Sequence, residues 1–129
     1  GAKRVLPLQV HGAFHSGLMR QAGENLAPFI DEAEIVATSC GLFMNVTGKR
    51  ADKTDEIRTN LKQQVTHAVR WEQSVRTMAE AGVDLFVEIG CGKTLAGFNK
   101  RIGIETPFVS LEKISDIDVL ESLLNGVSA

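Results

Sequence analysis

The sequence has 129 residues, of which 43% are hydrophobic and 23% are charged, and its formal net charge is −2. This size and composition fit one compact globular domain with a real core, and the small net charge excludes a global field that would attract nucleic acid or membrane. No segment approaches the roughly 18 apolar residues of a membrane span. Two cysteines, Cys40 and Cys91, are too few for a disulfide scaffold and favour a reducing compartment.

The N-terminal segment carries neither an initiator methionine nor a secretory pattern. Because Gly-Ala-Lys-Arg runs directly into apolar residues, we expect the chain to be a piece of a longer protein. Residues 4–10 predict a short strand, and Pro7 favours a sheet edge or a strand end. Apolar residues at helical spacing then predict a helix from Ser16 to about Ile30, with Ser16 as its N-cap.

The middle of the chain predicts a second short strand at Leu42–Val46 and a polar turn over 47–53. A second helix follows, capped by Thr54. The apolar stripe of that helix consists of Ile57, Leu61, Val65 and Ala68.

The C-terminal half alternates predicted helices and strands. In chain order they are a helix from near Trp71 to Gly82, a strand at Val83–Ile89 buried on both faces, a helix after the glycine turn at 90–92, a strand at Thr106–Leu111 and a helix at Asp116–Asn125. The alternation predicts an α/β architecture with a mainly parallel sheet.

His15 and Ser16 are adjacent, as a base and a nucleophile might be, but neighbouring side chains diverge on both strands and helices. Ser16 also lacks the glycine two residues earlier that a nucleophile elbow needs, since Phe14 stands there. His15 precedes a predicted helix, whose positive end disfavours imidazolium and suits a general base. A structural histidine beside a cap is the alternative.

Two further motifs resemble known sites incompletely. His11 and His15 have a zinc-compatible spacing, but Gly12 argues against a helix there and no third ligand stands out. Gly90–Thr94 is similar to the end of a phosphate-binding loop, yet Val87 occupies the position of the required glycine. The glycine turn therefore predicts either the edge of a site or a tight turn between strand and helix.

Gln64 lies seven residues after Ile57 and three after Leu61, on the apolar face of the second helix. Because an amide on a buried face needs hydrogen-bond partners, Gln64 is predicted either to cap neighbouring backbone or to hold a catalytic group. Three basic pairs are either solvated surface or, if two of them share a face, a patch for an acidic partner. They are Lys3-Arg4, Lys49-Arg50 and Lys100-Arg101.

Five segments occur in an order that resembles one family: AKRVLPLQV, GAFHSGLM, NV, LKQQVTHAVRW and VEIGCGKTLAGFNKRI. The chain resembles the C-terminal portion of malonyl-CoA:acyl carrier protein transacylases, to which polyketide synthase acyltransferase domains are similar. The resemblance implies an α/β fold. Residues 1–9 would end a ferredoxin-like small subdomain, and residues 10–129 would form the C-terminal part of a hydrolase-like, parallel-sheet large subdomain.

The resemblance also implies an activity. Family members transfer malonyl from malonyl-CoA to the phosphopantetheine thiol of acyl carrier protein through a seryl ester, with no cofactor, in the bacterial cytoplasm or an organelle stroma or matrix. His15 matches the general base. Gln64 matches a residue that orients the base through its backbone carbonyl or its side chain, and Phe14 matches a position associated with malonyl selectivity.

The nucleophilic serine, the arginine that pairs with the malonyl carboxylate and the oxyanion-hole residues lie upstream in the family, so we expect this chain to be inactive alone. Lys3, Arg4, Lys100 and Arg101 are expected to contact the carrier protein. Cys91 replaces a usual proline, and His67-Ala68 replaces a common Asn-Pro. The alternatives are a non-catalytic module that binds carrier protein, a polyketide-type acyltransferase fragment, and a hydrolase with an upstream nucleophile.

Overall fold

The computed structural model describes residues 1, 3, 5, 7 and 12–127. This part of the chain contains five α-helices and two pairs of short strands. The elements are α1 (Arg20–Glu32), β1 (Leu42–Met44), β2 (Lys49–Ala51), α2 (Thr54–Gln63), α3 (Trp71–Glu80), β3 (Phe86–Ile89), α4 (Thr94–Ile102), β4 (Phe108–Leu111) and α5 (Ile117–Val127). The 3-10 turns Gly17–Met19 and Ile114–Asp116 precede α1 and α5. The strand predicted over 4–10 falls mostly outside the described residues and stays a prediction.

The strands form two separate pairs. β1 and β2 are antiparallel, and β3 and β4 are parallel, with Phe86 opposite Phe108 and α4 as the crossover between them. The rings of Phe86 and Phe108 stack with their centroids 5.8 Å apart. The prediction of a parallel pair in the C-terminal half is therefore confirmed, but the prediction of a mainly parallel sheet is wrong for the described residues.

The polar segment 47–53 contains a strand that the sequence analysis missed. β2 pairs with β1 in the register Leu42 opposite Ala51. The hairpin closes at Gly48, which adopts a positive φ of 66° and donates its N–H to Met44 O at 2.8 Å. Because Lys49 and Arg50 are exposed and Ala51 is buried, β2 shows too little apolar alternation to be recognised from its sequence.

Helix α2 differs at both ends from its prediction. Its N-cap is Lys53, and Thr54 is already the first helical residue, so the predicted Thr54 cap is wrong. The helix ends at Gln63, and consequently Val65 and Ala68 lie beyond it. Asp55 and Glu56 do occupy its first turn, where carboxylates favour the positive helix end.

Helices α1 and α2 run antiparallel and contact each other at both ends. Near the start of α1, Gly23 is buried, and a Cβ there would lie 3.5 Å from Thr66 Cγ2. At the other end, the Arg58 guanidinium donates to the α1 carbonyls of Ile30 and Asp31 and to Ala33 O. These bonds satisfy carbonyls that a helix C-terminus leaves without partners, and they fix the alignment of the two helices.

The turn after α2 is tied to the hairpin and to α4. Arg70 donates its backbone N–H to Asn45 O at 2.8 Å and its Nε to Val46 O at 3.0 Å. Next to it, Trp71 Nε1 donates to Asn99 Oδ1 of α4 at 2.9 Å. The segment that follows α2 is thus held between the β1–β2 hairpin and the C-terminal half.

The surface is large for the mass of the chain. Its accessible area is 9783 Å², whereas a compact monomer of 14.0 kDa exposes about 6,700 Å². Large apolar side chains account for part of the excess, including Leu18 (85% exposed), Ile89 (81%) and Phe29 (71%). The prediction that β3 is buried on both faces is therefore wrong in this chain. The excess is about 3,000 Å².

The core is correspondingly small. Met44, Ala51 and Ile57 form a buried cluster against which Ile35 and Leu42 pack, and in α3 the side chain of Val75 is fully buried. None of the described helices combines the length and apolarity that crossing a bilayer requires.

Candidate functional site

His15 lies in a tight turn before the first 3-10 turn and has a positive φ of 63°. This left-handed conformation is uncommon for residues other than glycine, although histidine enters it more readily than most. Two hydrogen bonds hold His15 there. Its N–H donates to Val65 O at 2.9 Å, and its ring Nδ1 lies 2.9 Å from Gln64 O. Because a carbonyl oxygen can only accept, Nδ1 carries the proton and Nε2 remains available as a base.

The sequence left open whether Gln64 acts through its side chain or its backbone. The contact to His15 comes from the backbone carbonyl of Gln64, which is the C-cap residue of α2. The ring of His15 thus meets the negative end of α2. His15 therefore lies near the positive end of the turn that follows it, as predicted from the sequence, and also at the negative end of α2, which was not predicted.

Ser16 does not pair with His15. Its hydroxyl donates to Ala13 O at 2.7 Å and accepts from Leu18 N at 3.3 Å, as the N-cap of the Gly17–Met19 turn. The prediction of a cap is therefore confirmed only for this turn, since α1 itself begins at Arg20 with Met19 as its N-cap. Because the Ser16 hydroxyl donates its proton to the carbonyl of Ala13, it does not donate to His15, and the role of Ser16 is structural.

Phe14 is 65% exposed, immediately before His15. Its ring folds back over Gly12, where a Cβ would lie only 2.6 Å from Phe14 Cε2. Glycine at position 12 therefore permits this ring position, and any larger residue would displace the ring. His11 lies outside the described residues, so the His11–His15 spacing stays a prediction, and no cluster of three or more metal-ligating side chains occurs in the described part of the chain.

Glu88 is a buried charged residue that was not predicted from the sequence. It lies in β3, is only 8% exposed, and accepts from the backbone N–H groups of Leu95 (3.0 Å) and Ala96 (3.2 Å) at the start of α4. The hydroxyl of Ser110 in β4 also donates to it, at 3.0 Å. The available signal was weak, because the strand predicted at Val83–Ile89 contains two acidic residues, Asp84 and Glu88, and only Glu88 lies in the observed strand β3.

The protonation of Glu88 reflects a balance of opposing causes. Burial favours the neutral acid and by itself raises the pKa of Glu88, but the hydrogen bonds from Leu95, Ala96 and Ser110 outweigh it, so the pKa lies below the usual glutamate value. The carboxylate is therefore ionised at neutral pH. It accepts from the N–H groups of the second and third residues of α4, which are among the helix N-terminal donors that a phosphate would otherwise use.

The basic residues are distributed over the surface. Lys100 and Arg101 are exposed in the last turn of α4, where cations favour the negative helix end. Lys3 is exposed near the N-terminus, and Arg4 lies outside the described residues. Arg76 of α3 adds a nearby positive charge by donating to Ile102 O at 3.0 Å, although it also pairs with a glutamate of its own helix.

Comparison with known proteins identifies relatives over nearly the whole chain. No protein-family model matches. A malonyl CoA-acyl carrier protein transacylase from Haemophilus influenzae is 36% identical over 124 residues, which are 96% of this chain and 40% of the relative. The chain thus spans about two-fifths of the length of the curated relatives that it matches.

Solved structures agree with the sequence comparison. The acyl carrier protein S-malonyltransferase of Vibrio cholerae superposes with a TM-score of 0.84 at 34% identity, over 93% of this chain and 39% of that one. A malonyl-transacylase in complex with a type II polyketide synthase acyl-carrier protein gives a TM-score of 0.84 at 35% identity, over 95% of this chain and 40% of that one. In sequence and in its mixed helix and sheet fold, the chain is similar to a C-terminal portion of the malonyl CoA-acyl carrier protein transacylases, which are acyltransferases.

Proposed function

We propose that this chain supplies the general base of a malonyltransferase, and that the complete protein transfers malonyl from CoA to the phosphopantetheine thiol of acyl carrier protein. The anchored ring of His15 carries the proposal, because its Nδ1 is fixed 2.9 Å from Gln64 O and its Nε2 can take a proton. The names of the relatives supply both substrates, malonyl-CoA and acyl carrier protein. No cofactor is required by this chemistry.

In the proposed first half-reaction, His15 Nε2 removes the proton from the hydroxyl of an upstream serine. The serine oxygen attacks the malonyl thioester carbon, and the tetrahedral intermediate collapses to a seryl ester as the C–S bond breaks. His15 returns its proton to the departing CoA sulfur. While the ring is charged, Gln64 O and the negative end of α2 stabilise it.

The second half-reaction reverses these roles. The phosphopantetheine thiol of the carrier protein gives its proton to His15 and attacks the seryl ester, and the serine oxygen leaves and takes the proton back. The net result exchanges one thioester for another, so neither an oxidant nor water is consumed. Exclusion of water from the ester separates this activity from hydrolysis.

The remaining catalytic parts are proposed to come from the portion of the family that the chain does not span. These are the serine, the arginine for the malonyl carboxylate and the oxyanion donors. The excess accessible surface of about 3,000 Å² is consistent with a further segment that packs against this chain. Residues 1–9 are proposed to end a ferredoxin-like subdomain, and residues 10–129 are proposed to form part of the hydrolase-like subdomain.

Phe14 is proposed to limit the acyl group to malonyl. Its side chain precedes the base and is exposed, and the proposal is that the acyl group binds against this ring, so that an α-methyl branch would clash with it. Shape exclusion of one methyl is worth about 1–3 kcal/mol in the transition state. The preference is therefore expected to depend on where the ring lies, which Gly12 controls.

Gly12→Ala is expected to shift selectivity without unfolding the protein. The new Cβ must push the Phe14 ring away from its present place, and this costs little stability because the ring is exposed. We expect the ratio of kcat/KM for malonyl-CoA over methylmalonyl-CoA to change by up to about tenfold. Gly17→Ala is the matched control, since a Cβ there meets no atom within 4 Å. An unchanged ratio of the two kcat/KM values in Gly12→Ala would show that Gly12 does not control the preference for malonyl.

Carrier-protein recognition is proposed to use Lys3, Arg4, Lys100 and Arg101. The solved malonyl-transacylase complex with an acyl-carrier protein supports a carrier as the partner. Lys100 and Arg101 are exposed cations at one helix end and so are accessible to an acidic protein. Electrostatic attraction of this kind raises the association rate and weakens with ionic strength.

The decisive experiment follows a labelled malonyl group. Protein that contains this chain and the rest of the family enzyme is incubated with radiolabelled malonyl-CoA, and we expect a protein-bound ester that moves to carrier protein when its pantetheine thiol is supplied. Release of free malonate at the same rate without the thiol would instead indicate a hydrolase. Carrier binding with no ester at all would indicate a non-catalytic module.

A further inference from the structure

The carbonyl groups at the end of α2 have unequal numbers of donors. Gln63 O accepts from the backbone N–H groups of Thr66 and His67, each at 3.0 Å. The Thr66 hydroxyl also donates to it at 3.2 Å, and His67 Nδ1 lies 3.0 Å from it. The next two carbonyls, of Gln64 and Val65, instead accept from His15.

This division has a geometric cause. A helix C-terminus leaves its last carbonyls without intrahelical partners, and each must find a donor elsewhere. The donors of the 66–67 turn converge on Gln63 O, and none of these bonds goes to the following two carbonyls. Both of these carbonyls belong to the turn that faces His15, and both are used to hold it.

We propose that Thr66 and His67 are positioning residues for His15, because their side chains lock the turn that presents Gln64 O and Val65 O to it. This inference rests on the proposed role of His15 as the base. His67 Nδ1 is also 3.0 Å from Thr66 Oγ1, so the two side chains brace each other as well as the carbonyl. Neither side chain acts on substrate.

The chemistry of His67 identifies the right variants. Its required property is an N–H donor at the position of Nδ1, and an asparagine amide nitrogen can reproduce that donor while alanine cannot. Thr66→Val removes the hydroxyl and keeps the shape of the side chain. Thr59→Val is the matched control, because the Thr59 hydroxyl donates to Asp55 O at 2.8 Å within α2, away from the turn that follows this helix.

Two readouts are measured in protein that also carries the rest of the family enzyme. In the double variant Thr66→Val, His67→Ala, we expect kcat for malonyl transfer to fall about tenfold with KM for malonyl-CoA unchanged, because the base is displaced by a fraction of an ångström. The NMR signal of the His15 ring N–H, observed with labelled histidine, is expected to lose intensity because the hydrogen bond that protects this proton loosens. His67→Asn alone should keep at least half of the parent kcat, and Thr59→Val should match the parent.

Several results would overturn the inference. Parent-like kcat together with a parent-like His15 resonance in the double variant would show that the turn needs neither side chain. An equal loss of kcat in Thr59→Val would mean that the effect comes from general helix stability. A loss of kcat in His67→Asn as large as in the double variant would mean that it comes from side-chain volume. If the parent itself transfers no malonyl, the proposed function fails, but the His15 resonance still decides whether Thr66 and His67 position the ring.

Discussion

Replacing His15 with asparagine is expected to lower the rate of malonyl-enzyme formation by about a thousandfold, within the range that general bases contribute. Asparagine is the suitable replacement because it tolerates the positive φ of 63° that His15 adopts, whereas alanine adds backbone strain. The measurement is the initial rate of protein acylation from radiolabelled malonyl-CoA. KM for malonyl-CoA is expected to change little, since the base does not bind the ground-state substrate.

The neighbouring residue is the natural control for this result. Ser16→Ala removes the cap of the Gly17–Met19 turn, which costs about 1 kcal/mol of stability, and leaves the chemistry of His15 intact. We therefore expect a lower melting temperature and an acylation rate within a few-fold of the parent. Near-normal acylation in His15→Asn would refute the assignment of the base, whatever the effect of Ser16→Ala.

The largest loss of stability is expected from Glu88→Ala. Removing this buried carboxylate leaves the N–H groups of Leu95 and Ala96 and the hydroxyl of Ser110 without their acceptor, so α4 loses its N-terminal cap and its tie to both parallel strands. We expect the melting temperature to fall by more than for any exposed substitution on α4. Thermal unfolding followed by circular dichroism measures it.

The effect of Glu88 also depends on pH, with a definite sign. Its pKa in the folded protein lies below the ordinary value, so folding favours the ionised form. The stabilisation is complete above the unfolded-state pKa and is lost as the pH falls through the folded-state pKa. Glu88→Gln should therefore be less stable than the parent at neutral pH, and the difference should shrink on acidification.

Asp116 provides the comparison for this acid dependence. Backbone N–H groups of Glu112 and Lys113 lower its pKa too, but it caps only the short turn before α5 and is half-buried. We expect Asp116→Asn to show the same sign of pH dependence with a smaller loss of stability. A parent and a Glu88→Gln variant with parallel stability profiles across the acid range would contradict the role given to Glu88.

The sequence predicted the helices better than the strands, and for a physical reason. Helices α1 and α3 carry apolar residues at regular spacing, and α3 is followed by a recognisable end signal, Gly82 with its positive φ of 85°. Strand β2 has only three residues, two of them exposed and basic, so its position depends on the Gly48 turn and on pairing with β1. Neither feature has a periodic signature in the sequence.

The candidate site was predictable only in part. The sequence predicted a cap at Ser16, but it placed Gln64 on a helix face, whereas Gln64 is the C-cap residue that follows α2. Periodicity also could not bring together His15 and Gln64, which are 49 residues apart. Only the family resemblance paired them. The choice between side chain and backbone was not accessible to sequence, because every residue carries a carbonyl.

That carbonyl has a consequence for how the protein can evolve. The acceptor that orients His15 belongs to the main chain of position 64, so the identity of the side chain there can drift while the contact persists. Covariation between positions 15 and 64 should accordingly be weak in an alignment, even though the two are in direct contact. What selection must preserve instead is the path of the backbone, and the substitutions it removes are those that unwind or extend the last turn of α2.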